Sequence, residues 1–307
     1  MYRWNIRRIS TKAVRLVEVG PRDGLQNEPN TAALTTKVKA EFIRRLANSG
    51  LRWIEAGSFV SPKWVPQMAD TEAVLETLAK DPEIAKMSSL RLPVLVPNMT
   101  GLETALSSGL STVLKEVAVF TAASDTFNKK NTNCTVEESL KRLAEVCKTA
   151  TDKGLMVRGY VSTVVGCPYE GQIAPEKVRD VTLELLRLGC YEVSLGDTIG
   201  VGTAGNLDRV DPSKLAVHFH DTYGQALANI LSGIRTIDSS VAGLGGCPYA
   251  PGASGNVATE DVVYMLHGLQ YFTGVDLAKL VAAGEFITAK LGQTNRSRTA
   301  NALLTKK

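Results

Sequence analysis

Residues 215–229 read LAVHFHDTYGQALAN. Leu215, Ala216 and Val217 open an apolar run that predicts a buried strand. His218 and His220 stand two apart, so an extended chain turns both imidazoles to one side and Phe219 to the other. Asp221 or Thr222 is placed to cap a following helix. The chain holds three histidines, and two of them converge at this one strand end. A metal suits that arrangement: two neutral imidazoles held rigidly, with room for oxygen ligands from other segments. A lone H-x-H is more often a solvated strand end, so the rest of the chain has to decide.

Outward from this stretch, apolar strand-like runs alternate with helical periodicity. Strands are expected at 14–20, 51–56, 92–96, 116–120, 155–161, 191–195, 215–219 and 236–242. Helical spacing fills the intervals, as in Thr35–Asn48 with Val38, Phe42, Ile43 and Leu46. Thr135 with Glu138 three residues on is a capping box, and Pro175 marks a helix start. Strictly alternating strands and helices imply parallel pairing through helical crossovers. Eight such units favour a closed (β/α)8 TIM barrel, an α/β fold, with extra C-terminal helices from Asp276 onward. No G-x-G-x-x-G follows the first strand, against a dinucleotide fold. The expected organisation is a basic tail over 1–13 and a single catalytic barrel domain over 14–307.

The net charge of +4 tolerates an anionic substrate. The basic residues form no stripe, so no nucleic-acid partner is expected. No apolar run is long enough to span a membrane. Five cysteines, widely spaced and without a C-x-x-C, point to free thiols in a reducing compartment. The first thirteen residues carry Arg3, Arg7, Arg8 and Lys12 and no acid. That composition fits either a mitochondrial presequence or a basic tail.

In a barrel of this kind, catalytic groups sit at the carboxyl ends of the strands. Arg22 and Asp23 follow strand one, and Glu55 closes strand two. Arg158 and Tyr160 lie near the end of strand five, with Ser162 just beyond. Asp197 follows strand six, and His218 and His220 end strand seven. Cys247 and Asn256 lie in the glycine-rich GLGGCPYAPGASGN after strand eight. Asp23, His218, His220 and Asn256 offer one ion two oxygens and two nitrogens. Without a thiolate that set suits Mg²⁺ or Mn²⁺, with Zn²⁺ or Co²⁺ as alternatives. Each residue alone reads as an ordinary turn or loop residue; it is their shared rim that argues otherwise. Cys247, with an ordinary thiol pKa of about 8.5, can act as a general acid. Cys167, in GCPYEG, is its competitor. Cys147 and Cys190 read as buried.

Six stretches resemble the 3-hydroxy-3-methylglutaryl-CoA lyase family: VEVGPRDGLQNE, SFVSPKWVPQM, RGYVS with GCPYEG, SLGDTIGVGT, HFHDTYGQALAN and AGLGGCPYAPGASGNVATEDVVYML. The resemblance implies a divalent-metal-dependent lyase that cleaves 3-hydroxy-3-methylglutaryl-CoA to acetyl-CoA and acetoacetate, in leucine breakdown and ketone-body formation. It implies a small-molecule acyl-CoA substrate, a homodimer, and a mitochondrial matrix or else a cytoplasmic location. Carried over by motif, the metal ligands are Asp23, His218, His220 and Asn256. Arg22 would stabilise an enolate oxygen and Cys247 would protonate the carbanion. Glu55, Asp197 and His218 would support proton transfer at the tertiary hydroxyl. Arg158, Tyr160 and Ser162, with Arg22, would bind substrate. A Claisen-type synthase on the same barrel, or an inactive or unstable form, are the rival expectations.

Two departures stand out. Pro29 occupies a position where the family usually carries a lysine for the CoA phosphates, so either CoA affinity is weaker or Lys37, Lys63 or another base substitutes. Only IGVGTAGNLDRVDPSK separates SLGDT from LAVHFHD, which predicts a truncated sixth helix. Exposed apolar surface on strands six and seven, and lowered stability, are then expected.

Overall fold

A computed structural model describes residues 13–203, 214–230, 234–246 and 254–305. Among these, eight parallel barrel strands follow one another. The first is Arg15–Glu18. The second is split into Trp53–Ile54 and Gly57–Ser58. The third is Val94–Leu95, the fourth Glu116–Ala122 and the fifth Met156–Ser162. The sixth is Glu192–Asp197, the seventh Leu215–Phe219 and the eighth Thr236–Ser239.

The ring closes through the split second strand. Its first half pairs with strand one and its second half with strand three, while Glu55 N reaches Glu18 O at 2.9 Å and Ala56 N reaches Pro93 O at 2.9 Å. Strand one in turn pairs with strand eight, Leu16 opposite Ile237. All eight expected strands are present, which makes the chain a (β/α)8 barrel. Strand eight ends earlier than the sequence suggested. Val241–Gly243 forms a 3-10 turn instead, with Ala242 left-handed at φ 59°.

The helices form for local reasons. Thr35 caps Thr36–Asn48 by accepting from Val38 N, and Phe42, Ile43 and Leu46 on that helix are buried. The Thr135–Glu138 capping box is made in full at the start of Val136–Asp152. Asp276 caps Leu277–Leu291, which Gly292 ends in the left-handed conformation; Arg298–Leu304 follows. Two further elements form outside the strand–helix alternation. Ser124 caps the short helix Asp125–Thr132, whose polar sequence gave no apolar period. Gly166–Cys167 pairs antiparallel with Gly171–Gln172 in a small hairpin.

Most apolar residues pack between the sheet and the helices. The barrel interior is different. It holds a small apolar cluster of Leu95, Ala118 and Tyr160 with Phe120, and beside it the charged residues Glu55, Arg158, Glu192 and Asp238, all buried. Barrel interiors ordinarily fill with branched aliphatic layers, and buried charges cost several kcal/mol each to desolvate. An interior of this kind is therefore tied to function.

The truncated sixth helix and the basic tail up to Lys12 fall outside the described residues. The expected exposure of strands six and seven is corrected. Every residue of both strands is buried, because Val193, Leu195, Val217 and Phe219 point outward into the main core, with Ala226 and Ile230 of the following helix in the same cluster. Among the described residues, no helix is long and apolar enough to cross a membrane.

Candidate active site

The first strand ends in a tight π-turn, Gly20–Gly24, sequence GPRDG. Gly24 N closes it onto Val19 O at 3.1 Å. Pro21 suits the first turn, where no N–H is needed. Glu18 anchors the turn from below. Its Oε1 accepts from Gly20 N at 2.8 Å and from Val241 N at 2.9 Å, and its Oε2 accepts from Thr259 Oγ1 at 2.7 Å. A Cβ at Gly20 would lie 2.5 Å from Glu18 Oε1, so a side chain there would dislodge the anchor. The turn thereby presents Arg22 and Asp23 at the barrel mouth.

Asp23, His218 and His220 meet there. One ligating atom from each lies within 4.8 Å of the others, and His218 Nε2 is 3.7 Å from Asp23 Oδ2. Asn256 joins them from the far side of the chain: its Nδ2 donates to Asp23 Oδ2 at 2.7 Å and to Leu244 O at 3.1 Å, and its backbone bridges to His220. Gln26 Nε2 donates to Asp23 Oδ1 at 2.6 Å. Four residues spread over more than two hundred positions therefore share one point on the rim.

Electrostatics favour a cation at that point. Burial works to raise the Asp23 carboxyl, but Arg22, His218 and His220 outweigh it and hold it down at about 2. Burial, with His218 beside it, lowers His220 to about 4, so that ring is neutral at pH 7. Burial pushes His218 down as well, yet Asp238 and Asp23 leave it raised. The Nδ1 atoms of both histidines are buried without a hydrogen-bond partner; that of His218 lies 3.5 Å from Asp238, and the same ring's other nitrogen, Nε2, is the one turned to Asp23. A carboxylate, an amide and two imidazoles without thiolate fit a divalent cation.

Beneath the rim runs a continuous polar chain. Arg22 Nε donates to Glu55 Oε2 at 2.8 Å and Arg22 Nη1 to Asp23 Oδ1 at 2.8 Å. Tyr160 Oη donates to Glu55 Oε1 at 2.6 Å. Arg158 donates from Nη1 to Tyr160 Oη at 2.6 Å, from Nε to Glu192 at 2.9 Å and from Nη2 to Asp238 at 2.7 Å. Burial raises the Tyr160 phenol well above its usual range, keeping it a neutral donor.

The remaining sequence candidates sit as follows. Asp197 reaches the rim, but its oxygens accept from Val201 N at 3.2 Å and Gly202 N at 2.7 Å and so brace the loop after strand six. Burial nonetheless raises its pKa. Ser162 is half-buried at the end of strand five. Cys247 falls outside the described residues. Its competitor Cys167 is buried in the hairpin with Ser124 Oγ at 3.0 Å. Cys147 and Cys190 are buried, as expected. Glu18, Gln26, Glu192 and Asp238 escaped the sequence reading. An acid within the short, fully buried strand eight was the available signal for Asp238.

Comparison with known proteins agrees with this geometry. Residues 13–287 match the HMGL-like family. The chain is 56% identical to "Hydroxymethylglutaryl-CoA lyase, mitochondrial" of Arabidopsis thaliana, over 95% of this chain and 62% of that protein. It is 53% identical to "3-hydroxy-3-methylglutaryl-CoA lyase, cytoplasmic" of Danio rerio, over 94% of this chain and 86% of that protein. The solved hydroxymethylglutaryl-CoA lyase of Pseudomonas aeruginosa superposes with a TM-score of 0.89 at 52% identity, covering 96% of this chain and 99% of that one. With a continuous match through the barrel and its rim, the chain belongs to the HMGL-like family.

Proposed function

We propose that this chain cleaves 3-hydroxy-3-methylglutaryl-CoA to acetyl-CoA and acetoacetate, with Mg²⁺ or Mn²⁺ held by Asp23, His218, His220 and Asn256. One observation carries the reading: ligating atoms of Asp23, His218 and His220 gather within 4.8 Å, at the mouth of a barrel whose relatives are named for this reaction.

The reaction breaks the bond between C2 and C3 of the acyl chain. The C3 hydroxyl loses its proton and becomes the ketone of acetoacetate. The bonding electrons pass to C2 as the thioester enolate, which takes a proton to give acetyl-CoA. A bound divalent cation supplies Lewis acidity toward the substrate's hydroxyl and carboxylate oxygens. Arg22 is the fixed positive donor for the enolate oxygen, held in place by Glu55 and Asp23, so little reorganisation is needed as charge develops. Glu55 and Asp197 would manage the hydroxyl proton, with His218 assisting through the cation it would hold rather than through a free ring nitrogen. Tyr160 and Arg158 would form the floor of the acyl pocket and Ser162 its edge. Cys247 would return the proton to C2, and Cys247→Ala should lose turnover while keeping the metal.

A cleft of about 400 Å³ lies next to the site in sequence, lined by Gly24, Glu28, Pro29, Gly245 and Arg296, among others. It supports an acyl-CoA entering past Pro29. A catalytic domain over 14–307, a homodimer and a mitochondrial matrix location complete the proposal. Relatives carry both mitochondrial and cytoplasmic names, so fractionation of the native protein tests the location and sedimentation tests the dimer.

The deciding experiment is acetoacetate formation from the hydroxymethylglutaryl-CoA substrate under titrated Mg²⁺ and Mn²⁺. Metal-dependent acetoacetate is expected. Condensation with a 2-oxo acid and no acetoacetate would instead support the synthase, which the relatives' names do not favour.

A further inference from the structure

Asp238 lies in strand eight level with His218 across the ladder. Its Oδ2 is 3.5 Å from His218 Nδ1. That nitrogen is buried and has no hydrogen-bond partner, while the ring's opposite atom, Nε2, faces Asp23. A 3.5 Å gap is longer than a formed hydrogen bond, but catalytic contacts are often long before the site is loaded.

Asp238 is itself tightly held. Arg158 Nη2 donates to its Oδ1 at 2.7 Å, Arg158 Nη1 to its Oδ2 at 3.2 Å and Ser194 Oγ to its Oδ2 at 2.7 Å. With two donors from Arg158 and one from Ser194 aimed at its oxygens, the carboxylate meets them as an acceptor. A neutral imidazole carries one N–H, and a metal ligand must keep its other nitrogen bare. An acceptor at Nδ1 selects the Nδ1–H tautomer. A purely structural Arg158–Asp238 pair would need no imidazole edge beside it.

We propose that Asp238 is a positioning residue that fixes the proton of His218 on Nδ1 and so leaves Nε2 bare for the cation, an inference that rests on the metal-centre reading above. Arg158 acts one step further back, aiming the Asp238 carboxylate at the ring. Carboxylates placed this way behind a ligating histidine typically change metal affinity 10–100-fold when removed.

The test has two arms. In the first, ¹⁵N-histidine NMR of the full, metal-free wild-type chain at pH 9 reads the neutral tautomer of His218. Nδ1–H with bare Nε2 is expected, and Nε2–H overturns the inference. This arm needs no variant, so it survives if D238N fails to fold for want of a full partner to Arg158. In the second, Mn²⁺ binding is measured by calorimetry. D238N should bind roughly 10–100-fold more weakly than wild type and shift its His218 signal toward Nε2–H. Equal Mn²⁺ affinity in D238N sinks the inference alone. A wild-type chain that binds no Mn²⁺ sinks the metal centre and the inference with it.

Discussion

Arg22 rests on Glu55: its Nε and its Nη2 both meet Glu55 Oε2, at 2.8 Å and 2.7 Å. Glu55 has no exposure to solvent and Arg22 very little. Two neighbours at the ends of different strands thus aim one guanidinium without tying up its remaining donors. Burial acts to lower the Arg22 pKa, but Glu55 and Asp23 overcome it and keep the charge in place.

If Arg22 meets the enolate, Arg22→Gln should lower kcat by about 10²–10³, the usual loss for a preorganised transition-state donor. KM should change little. Steady-state acetoacetate production measures both, and a kcat within twofold of wild type removes Arg22 from that role.

Metal binding to the folded chain alone should stabilise it. At one hundred times the dissociation constant the gain is about 2.7 kcal/mol, visible as a rise in melting temperature with Mn²⁺. His220→Ala takes one imidazole from the cluster and should abolish that rise. A full Mn²⁺-dependent rise in the variant would exclude His220 as a ligand. Chelation of wild type should stop turnover and lower its melting temperature to the metal-free value.

Glu260 gives a pH dependence. Burial pushes its carboxyl up to about 8 from an ordinary 4.5. The native state therefore holds a proton that the unfolded chain releases, between about pH 4.5 and pH 8. Stability should fall as pH rises through that window, by at most about 1.4 kcal/mol per pH unit from this group. The loss is absent below the window and complete above it. Glu260→Gln keeps an oxygen for Ala242 N, which Glu260 now accepts at 3.0 and 2.9 Å, and should flatten the slope. Denaturant titrations at pH 5, 7 and 9 compare the two chains, and parallel curves would refute the prediction.

Phe219 tests the packing of strand seven. It is buried between the two histidines in sequence and faces the opposite way, into the main core. Phe219→Ala should cost roughly 3–5 kcal/mol, read from urea unfolding. A cost below about 1 kcal/mol would mean that this side of the barrel is not packed as described.

Much of this was legible in the chain. The strand–helix alternation announced a barrel because each strand had to bury an apolar face and each helix to return the chain. The H-x-H period placed both imidazoles on one side because a strand alternates. Motif resemblance placed Arg22, Asp23 and Asn256 beside them. The helix Asp125–Thr132 was not legible, since Ser124 and tertiary packing rather than apolar period create it. Nor was the burial of strands six and seven, because cover depends on which elements arrive from elsewhere.

By itself, then, the sequence determined the order of elements, the barrel and the residue types that reach its carboxyl rim, because these follow from local period and strand direction. Only the tertiary structure decided which partner each of those residues meets. Glu18 under the Arg22 turn, Glu55 between Arg22 and Tyr160, and Asp238 behind His218 are joined by barrel closure and strand register. Those are contacts between residues far apart in the chain, and no local pattern encodes them.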